Sequence, residues 1–282
     1  MSETASRGTR PEPSRGRGSP PPARVVDWIF TLPFLAAFGA TLALFDPAQR
    51  VARLFGQRPQ EITAGALQST LVASLRLCGT RLRVERSPEL QARTAYIVIA
   101  NHQSMFDIPI LGALLFSNFP KYVSKKELAR GIPSVSYNLR RGGHALIDRA
   151  DRKQALAAIR TLGATARRRQ VSVMIYPEGT RSRAGKLRPF RPAGALALLE
   201  EAPDLPVVPV TIDDSWRLLA HNLLPVPFGT RVRVRLGAPM ARGDASHAEL
   251  LQRAQQEIES TLARWRSDAP DGSGKGIDPA DA

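Results

Sequence analysis

Two short apolar runs constrain what this chain can fold into: Ala95-Tyr96-Ile97-Val98-Ile99-Ala100 and Val171-Ser172-Val173-Met174-Ile175-Tyr176. A strand with one wet face alternates polar and apolar residues; a nearly continuous apolar run marks a strand buried on both faces, as in a parallel sheet under two helical layers. Further strands are predicted at Lys121–Ser124, Ala145–Ile147, Leu205–Ile212 and Arg231–Leu236. Thr80–Glu85 alternates like a half-buried strand. Helices are predicted at Ile108–Phe116 (Pro109 suits its first turn), Arg152–Arg169, Ala193–Glu201 and His247–Trp265. This alternation implies an α/β fold, a mixed, largely parallel sheet flanked by helices.

Residues 1–24 are rich in Pro, Gly, Ser and Arg without hydrophobic patterning and read as a disordered basic tail; residues 267–282 read as a second one. Between them, residues 80–266 are the expected main folded domain, and residues 25–79 N-terminal membrane-associating helices. Trp28–Phe45 holds 18 residues without a charge. As a helix it would span about 27 Å, just short of a hydrocarbon core of about 30 Å. Pro33 and Gly39 weaken it as a straight helix. A short transmembrane helix, an interfacial helix and a buried core helix all fit, whereas a signal peptide does not, because the tail ahead of it is long and no cleavage site is clear. Leu67–Leu77 is a second apolar stretch. Two in succession imply a hydrophobic helical hairpin for membrane attachment, with a full span left open.

The net charge of +15 is uneven. Lys121 to Arg191 holds 18 Lys and Arg against 4 Asp and Glu, a local excess of +14. Such a surface attracts phosphorylated substrates, anionic lipid or nucleic acid. Aromatics are only 6% of residues and do not interleave with the basic positions, which argues against nucleic acid. A single cysteine, Cys78, rules out an internal disulfide.

The first apolar run leads directly into Asn101-His102-Gln103-Ser104-Met105-Phe106-Asp107. Histidine titrates nearest neutrality and suits a general base; a carboxylate can fix its tautomer. On a regular helix five residues turn through about 500°, leaving His102 and Asp107 about 140° apart. They can meet only if the segment is a turn. Otherwise Asp107 merely caps a helix. Ser104 lacks a nucleophile elbow and reads as a turn residue. The four histidines, with His144, His221 and His247 beside His102, form no metal-ligand pattern.

The second run leads into Pro177-Glu178-Gly179-Thr180-Arg181. Gly179 permits a sharp turn and close approach of N–H groups to an anion, and Arg181 can grip phosphate with two parallel hydrogen bonds. Glu178 would repel phosphate, so holding an arginine is its expected part. The Walker A spacing is absent.

Asn101-His102-x-x-x-x-Asp107 followed by Glu178-Gly179-Thr180-Arg181 resembles the glycerolipid acyltransferases, specifically the bacterial 1-acyl-glycerol-3-phosphate acyltransferases, over about Tyr96 to Pro239. Lys125-Lys126-Glu127-Leu128 with Ile132-Pro133, Asp148-Arg149 and Val207-Val208-Pro209-Val210 look like further blocks of that family. The resemblance implies His102 and Asp107 as catalytic. It implies Arg149, Gly179, Thr180 and Arg181 as the site for the acceptor's phosphate, supported by Asn101, Lys126 and Glu178. It implies acyl transfer from acyl-CoA or acyl-carrier protein to the sn-2 hydroxyl of lysophosphatidate, with no metal and no cofactor. The place would be the cytoplasmic face of the inner membrane, integral or tightly peripheral, with membrane lipids rather than nucleic acid as partners. Phe190-Arg191-Pro192-Ala193-Gly194 departs from the common form, with Arg where Lys is frequent and one more residue before the glycine, and His144 stands where an apolar residue is usual. These departures leave room for another acceptor, such as a lyso-ornithine lipid. A basic peripheral lipid-binding protein without catalysis is the alternative of another class.

Overall fold

The structure, a computed structural model, describes residues 22–182 and 184–267. Most of both expected tails, 1–21 and 268–282, lies outside the described residues.

Seven strands form one sheet: β1 (Arg81–Arg86), β2 (Ile97–Ala100), β3 (Lys121–Lys125), β4 (Ala145–Ile147), β5 (Val173–Ile175), β6 (Val207–Asp213) and β7 (Arg231–Leu236). Their order is β1-β7-β6-β2-β5-β3-β4. β2 is central and parallel to β5 on one side (Ile97 opposite Val173) and to β6 on the other (Ile97 opposite Val207). β7 runs antiparallel to β6, and β1 parallel to β7, so only this edge pair points the other way. Every residue of β2 is buried, as its unbroken apolar run requires. β1 departs from expectation: it is an edge strand with its side chains mostly exposed rather than half-buried.

The β2 side chains divide the core in two. Val98 and Ala100 join a cluster with Phe34, Leu75, Phe106 and Ile110; Ile97 and Ile99 join one with Ile159, Leu162, Leu198 and Ile258. The first lies under the N-terminal helices α1 (Val25–Leu54) and α2 (Gln57–Ser74) and under α3 (Asp107–Leu114). The second lies under α5 (Arg152–Arg169), α6 (Pro192–Glu201) and α7 (His247–Ser267). A short helix, α4 (Val135–Arg141), has no apolar periodicity and follows a positive φ at Ser134, so the pattern did not mark it.

α1 runs for 30 residues, about 45 Å, straight through Pro33 and Pro47. Each proline forfeits a backbone bond, but Phe34 is fully buried against Phe106, with centroids 6.2 Å apart, and anchors the helix across the break. Only 17% of its apolar window is buried, which disposes of the buried-core reading. Val25, Ile29, Leu32 and Leu44 are exposed. α2 folds back after Phe55-Gly56 and packs inward: Leu67 and Leu71 are buried. Glu61 of α2 accepts Lys121 Nζ at 2.7 Å and Arg169 at 2.6 Å, and Gln68 donates to the Tyr122 hydroxyl at 3.0 Å. The hairpin therefore divides its labour. α2 is fastened to the sheet, and α1 carries the outward apolar face.

Candidate active site

In an open parallel sheet the carboxyl ends of the strands share one edge, where binding loops collect. Five strands deliver residues there: β2 leads to Asn101, β5 to Tyr176, β6 to Asp213, β4 to Asp148-Arg149 and β3 to Lys126.

Asn101 does not touch the site. Its side-chain amide donates to the Ile212 carbonyl and accepts from the Ile212 N–H, both at 2.8 Å, so it extends the β2–β6 ladder one step beyond the strand. The chain then turns, as the 140° argument demands, and His102 Nδ1 meets Asp107 Oδ2 at 2.8 Å. That oxygen also accepts the N–H groups of Gln103 (2.7 Å) and Ser104 (2.8 Å). Oδ1 accepts the Ser215 hydroxyl at 2.6 Å. Asp107 is 0% exposed and fully occupied; it organises the turn and orients the ring at once. A carboxylate at Nδ1 places the neutral ring's proton there and leaves the Nε2 lone pair outward. Tyr176 stacks on the imidazole, centroids 4.2 Å apart at 24°.

Glu178 is buried, and burial holds its carboxyl above the ordinary range. Its expected arginine partner is not the one it has. Oε1 accepts the backbone N–H of His102 at 2.6 Å, and Oε2 accepts that of Arg188 at 2.8 Å. Two N–H groups that no sheet neighbour can satisfy outcompete a solvated guanidinium. Ser182 N–H in turn donates to the His102 carbonyl at 2.7 Å, so the second motif grips the first by both its peptide groups.

Gly179 sits at φ +70°, and a Cβ there would come within 3.4 Å of Arg191 Cδ, so Arg191 lies across the turn. Burial, and then the charges of Arg181 and Arg191, push the Arg149 guanidinium below its ordinary value. Arg149 therefore feels both Arg181 and Arg191, with the acid Glu127 opposing them, and none of the three arginines makes an ion pair among the described residues. Such a group of arginines is suited to receive an anion. Thr180 is half-buried beside them. Lys126 is exposed, and its ammonium pairs with Asp148, next to Arg149.

The residues that sequence reasoning passed over are Gln103, Tyr176, Arg191 and Ser215. Gln103 donates to Asp213 at 3.2 Å, and Asp213 is held by Arg266 at 3.0 Å and Arg233 at 3.3 Å. A signal existed: Asp213-Asp214-Ser215 leaves a buried strand at the same sheet edge as both motifs. His144, the odd residue of its block, is structural. Its Nδ1 accepts the Tyr122 N–H at 3.0 Å, and burial pushes its pKa well down.

The profile of the Acyltransferase family matches residues 81–213, the span that carries both motifs, β2, β5 and β6. The match, just under half of the chain, supports membership of the acyltransferase family over that span. It is 30% identical over 133 residues to a Saccharomyces cerevisiae 1-acyl-sn-glycerol-3-phosphate acyltransferase, covering 46% of this chain and 42% of that one. It is 29% identical over 156 residues to the enzyme of that name from Cocos nucifera, covering 54% and 48%. The aligned part is thus less than half the length of these two relatives. Against the Escherichia coli enzyme of the same name it is 27% identical over 191 residues, covering 67% and 71%. The acyltransferase fold is shared with the crystal structure of the 1-acyl-sn-glycerophosphate acyltransferase PlsC from Thermotoga maritima, at a TM-score of 0.67 and 21% identity, covering 86% of this chain and 96% of that one.

Proposed function

We propose that this acyltransferase moves a fatty acyl group from a thioester, acyl-CoA or acyl-carrier protein, to the sn-2 hydroxyl of 1-acyl-glycerol-3-phosphate, giving phosphatidate. The observation that carries the reading is the meeting, at one sheet edge, of an Asp107-oriented His102 with three unpaired arginines. Arg149, Arg181 and Arg191 hold the acceptor's phosphate. His102 Nε2 takes the proton from the acceptor hydroxyl as its oxygen attacks the thioester carbonyl. The tetrahedral intermediate collapses, the C–S bond breaks, and the imidazolium returns its proton to the leaving thiolate. Asp107 steadies the imidazolium throughout. No covalent enzyme intermediate and no cofactor enters. The thioester is already activated, so positioning and a base supply most of what the reaction needs.

The exposed apolar face of α1 would seat the protein on the membrane, where the acceptor resides. The basic excess between Lys121 and Arg191 would suit an anionic leaflet such as the cytoplasmic one.

The test is acyl transfer by the purified protein, with acyl-CoA and acyl-carrier protein as donors and lysophosphatidate and lyso-ornithine lipid as acceptors. Phosphatidate formed by the wild type and lost in His102→Ala is the expected result. Preference for lyso-ornithine lipid would reassign the acceptor. Full activity in His102→Ala would overturn the mechanism, and inactivity of the wild type on every pair would leave the peripheral lipid-binding alternative.

A further inference from the structure

A cleft of about 540 Å³ lies away from His102, between the end of α2 and the start of β1. Its size falls in the range of small-molecule sites, about 300–1,000 Å³. Val72, Leu75 and Leu82 give it an apolar wall; Arg76 and Arg81 stand along it with side chains exposed. Neither arginine makes an ion pair among the described residues. Arg76 closes a helical turn, where a cation suits the dipole, but Arg81 opens an edge strand and has no such reason to be there. Thr80 also lines the cleft; it is 5% exposed, yet its hydroxyl oxygen has no hydrogen-bond partner. A buried hydroxyl left unpaired is costly, and a ligand is one way to satisfy it. Leu77 and Val84 alongside are exposed at 40% and 41%.

We propose that this cleft binds an anionic phospholipid of the membrane, separately from the acyl-transfer centre. Arg76 and Arg81 receive its phosphate, Thr80 faces the glycerol region, and Val72, Leu75 and Leu82 take the first carbons of a chain. Charge complementarity selects the occupant: two unpaired guanidiniums beside an apolar wall match a phosphate joined to hydrocarbon. The register gives the site a purpose. Arg83 pairs with Arg233, and Arg233 with Asp213, so this end of β1 lies at the same sheet edge as the active site. A lipid held there would keep that edge against the bilayer.

The test is calorimetric titration of the full-length protein with dihexanoyl phosphatidylglycerol below its micelle concentration, beside dihexanoyl phosphatidylcholine and inorganic phosphate. The phosphatidylglycerol should bind, with at least a tenfold loss in Arg76→Ala/Arg81→Ala, a surface change that spares the core, and in the cleft-filling Val72→Trp. Arg149→Ala/Arg181→Ala should bind it as the wild type does, which separates this site from the acceptor clamp and keeps the readout independent of acyl transfer. Unchanged binding in the Arg76→Ala/Arg81→Ala variant would overturn the proposal. Loss in the Arg149→Ala/Arg181→Ala variant instead, or equal affinity for inorganic phosphate or for phosphatidylcholine, would do the same.

Discussion

The peptide N–H of His102 donates to the Glu178 carboxylate at 2.6 Å across 76 residues of sequence. The two motifs are therefore one object. The first carries the proposed base, and the second fixes the backbone beneath it, with Ser182 N–H holding the His102 carbonyl from the other side at 2.7 Å.

Replacing Glu178 should thus harm the base rather than phosphate binding. Glu178→Ala leaves two N–H groups without their acceptor, each at a cost of about 1–3 kcal/mol. Glu178→Gln keeps the shape but turns an amide NH₂ toward one of them. The expected outcome for Glu178→Gln is a fall in kcat of about tenfold or more, with the acceptor KM little changed. A raised KM at constant kcat would instead put Glu178 in the phosphate site.

Ser215 is expected to act through Asp107. Its hydroxyl donates to Oδ1 at 2.6 Å while Oδ2 faces the ring, so the bond sets the carboxylate's rotation. A hydrogen bond to a charged group contributes about 1.5–3 kcal/mol. Ser215→Ala should lower kcat by about 10- to 100-fold, and Ser215→Thr, which keeps the hydroxyl, should recover much of it. Steady-state kinetics on the three proteins decides the point; equal loss in both variants would mean packing rather than positioning.

The arginines should show the opposite split. Arg149→Ala, Arg181→Ala and Arg191→Ala each remove a charge-assisted contact to the acceptor's phosphate, which predicts an acceptor KM raised about tenfold or more at modest cost in kcat. Added salt should raise the wild-type KM and have less effect on the variants, since there is less charge left to screen.

Much of this site was legible because strand, turn and base lie within a dozen residues. The unbroken run ending at Ala100 requires a central parallel strand, and helical geometry alone parts His102 from Asp107, so a turn was the only way to join them. What could not be read locally was partnership across the sheet. Glu178 was expected to hold an arginine because its charge invites one, but its partners are two peptide groups that only the folded loops bring near. Ser215 lies 108 residues from Asp107 and was invisible for the same reason; Arg191, 84 residues away, reads in the sequence only as a departure within its block and not as part of the anion site. Pro33 and Gly39 are expected to weaken this segment as a straight helix; α1 is continuous through both, with Phe34 buried beside Pro33.

The fastening of α2 makes a prediction about pH. Glu61 is buried among Lys121, Arg169 and Arg58. Burial alone would raise its pKa, but Lys121 and Arg169 outweigh that and hold it below the ordinary 4.5. A carboxylate with a lowered folded value contributes stability above its unfolded value and loses it as pH falls through the folded one. The thermal midpoint should therefore drop below about pH 4.5, and Glu61→Gln should flatten that part of the curve. At neutral pH the substitution strands a buried ammonium and should cost about 3–5 kcal/mol. Lys121 gives the second window. Burial pulls it from 10.5 to about 8, against the pull of Glu61. Between those values the unfolded chain binds the more protons, so this group's contribution to stability rises with pH. Lys121→Met should remove that rise. Melting curves of the wild type and both variants from pH 3.5 to 10.5, compared as differences, test both windows; parallel curves throughout would show that the ion pair does not fasten α2.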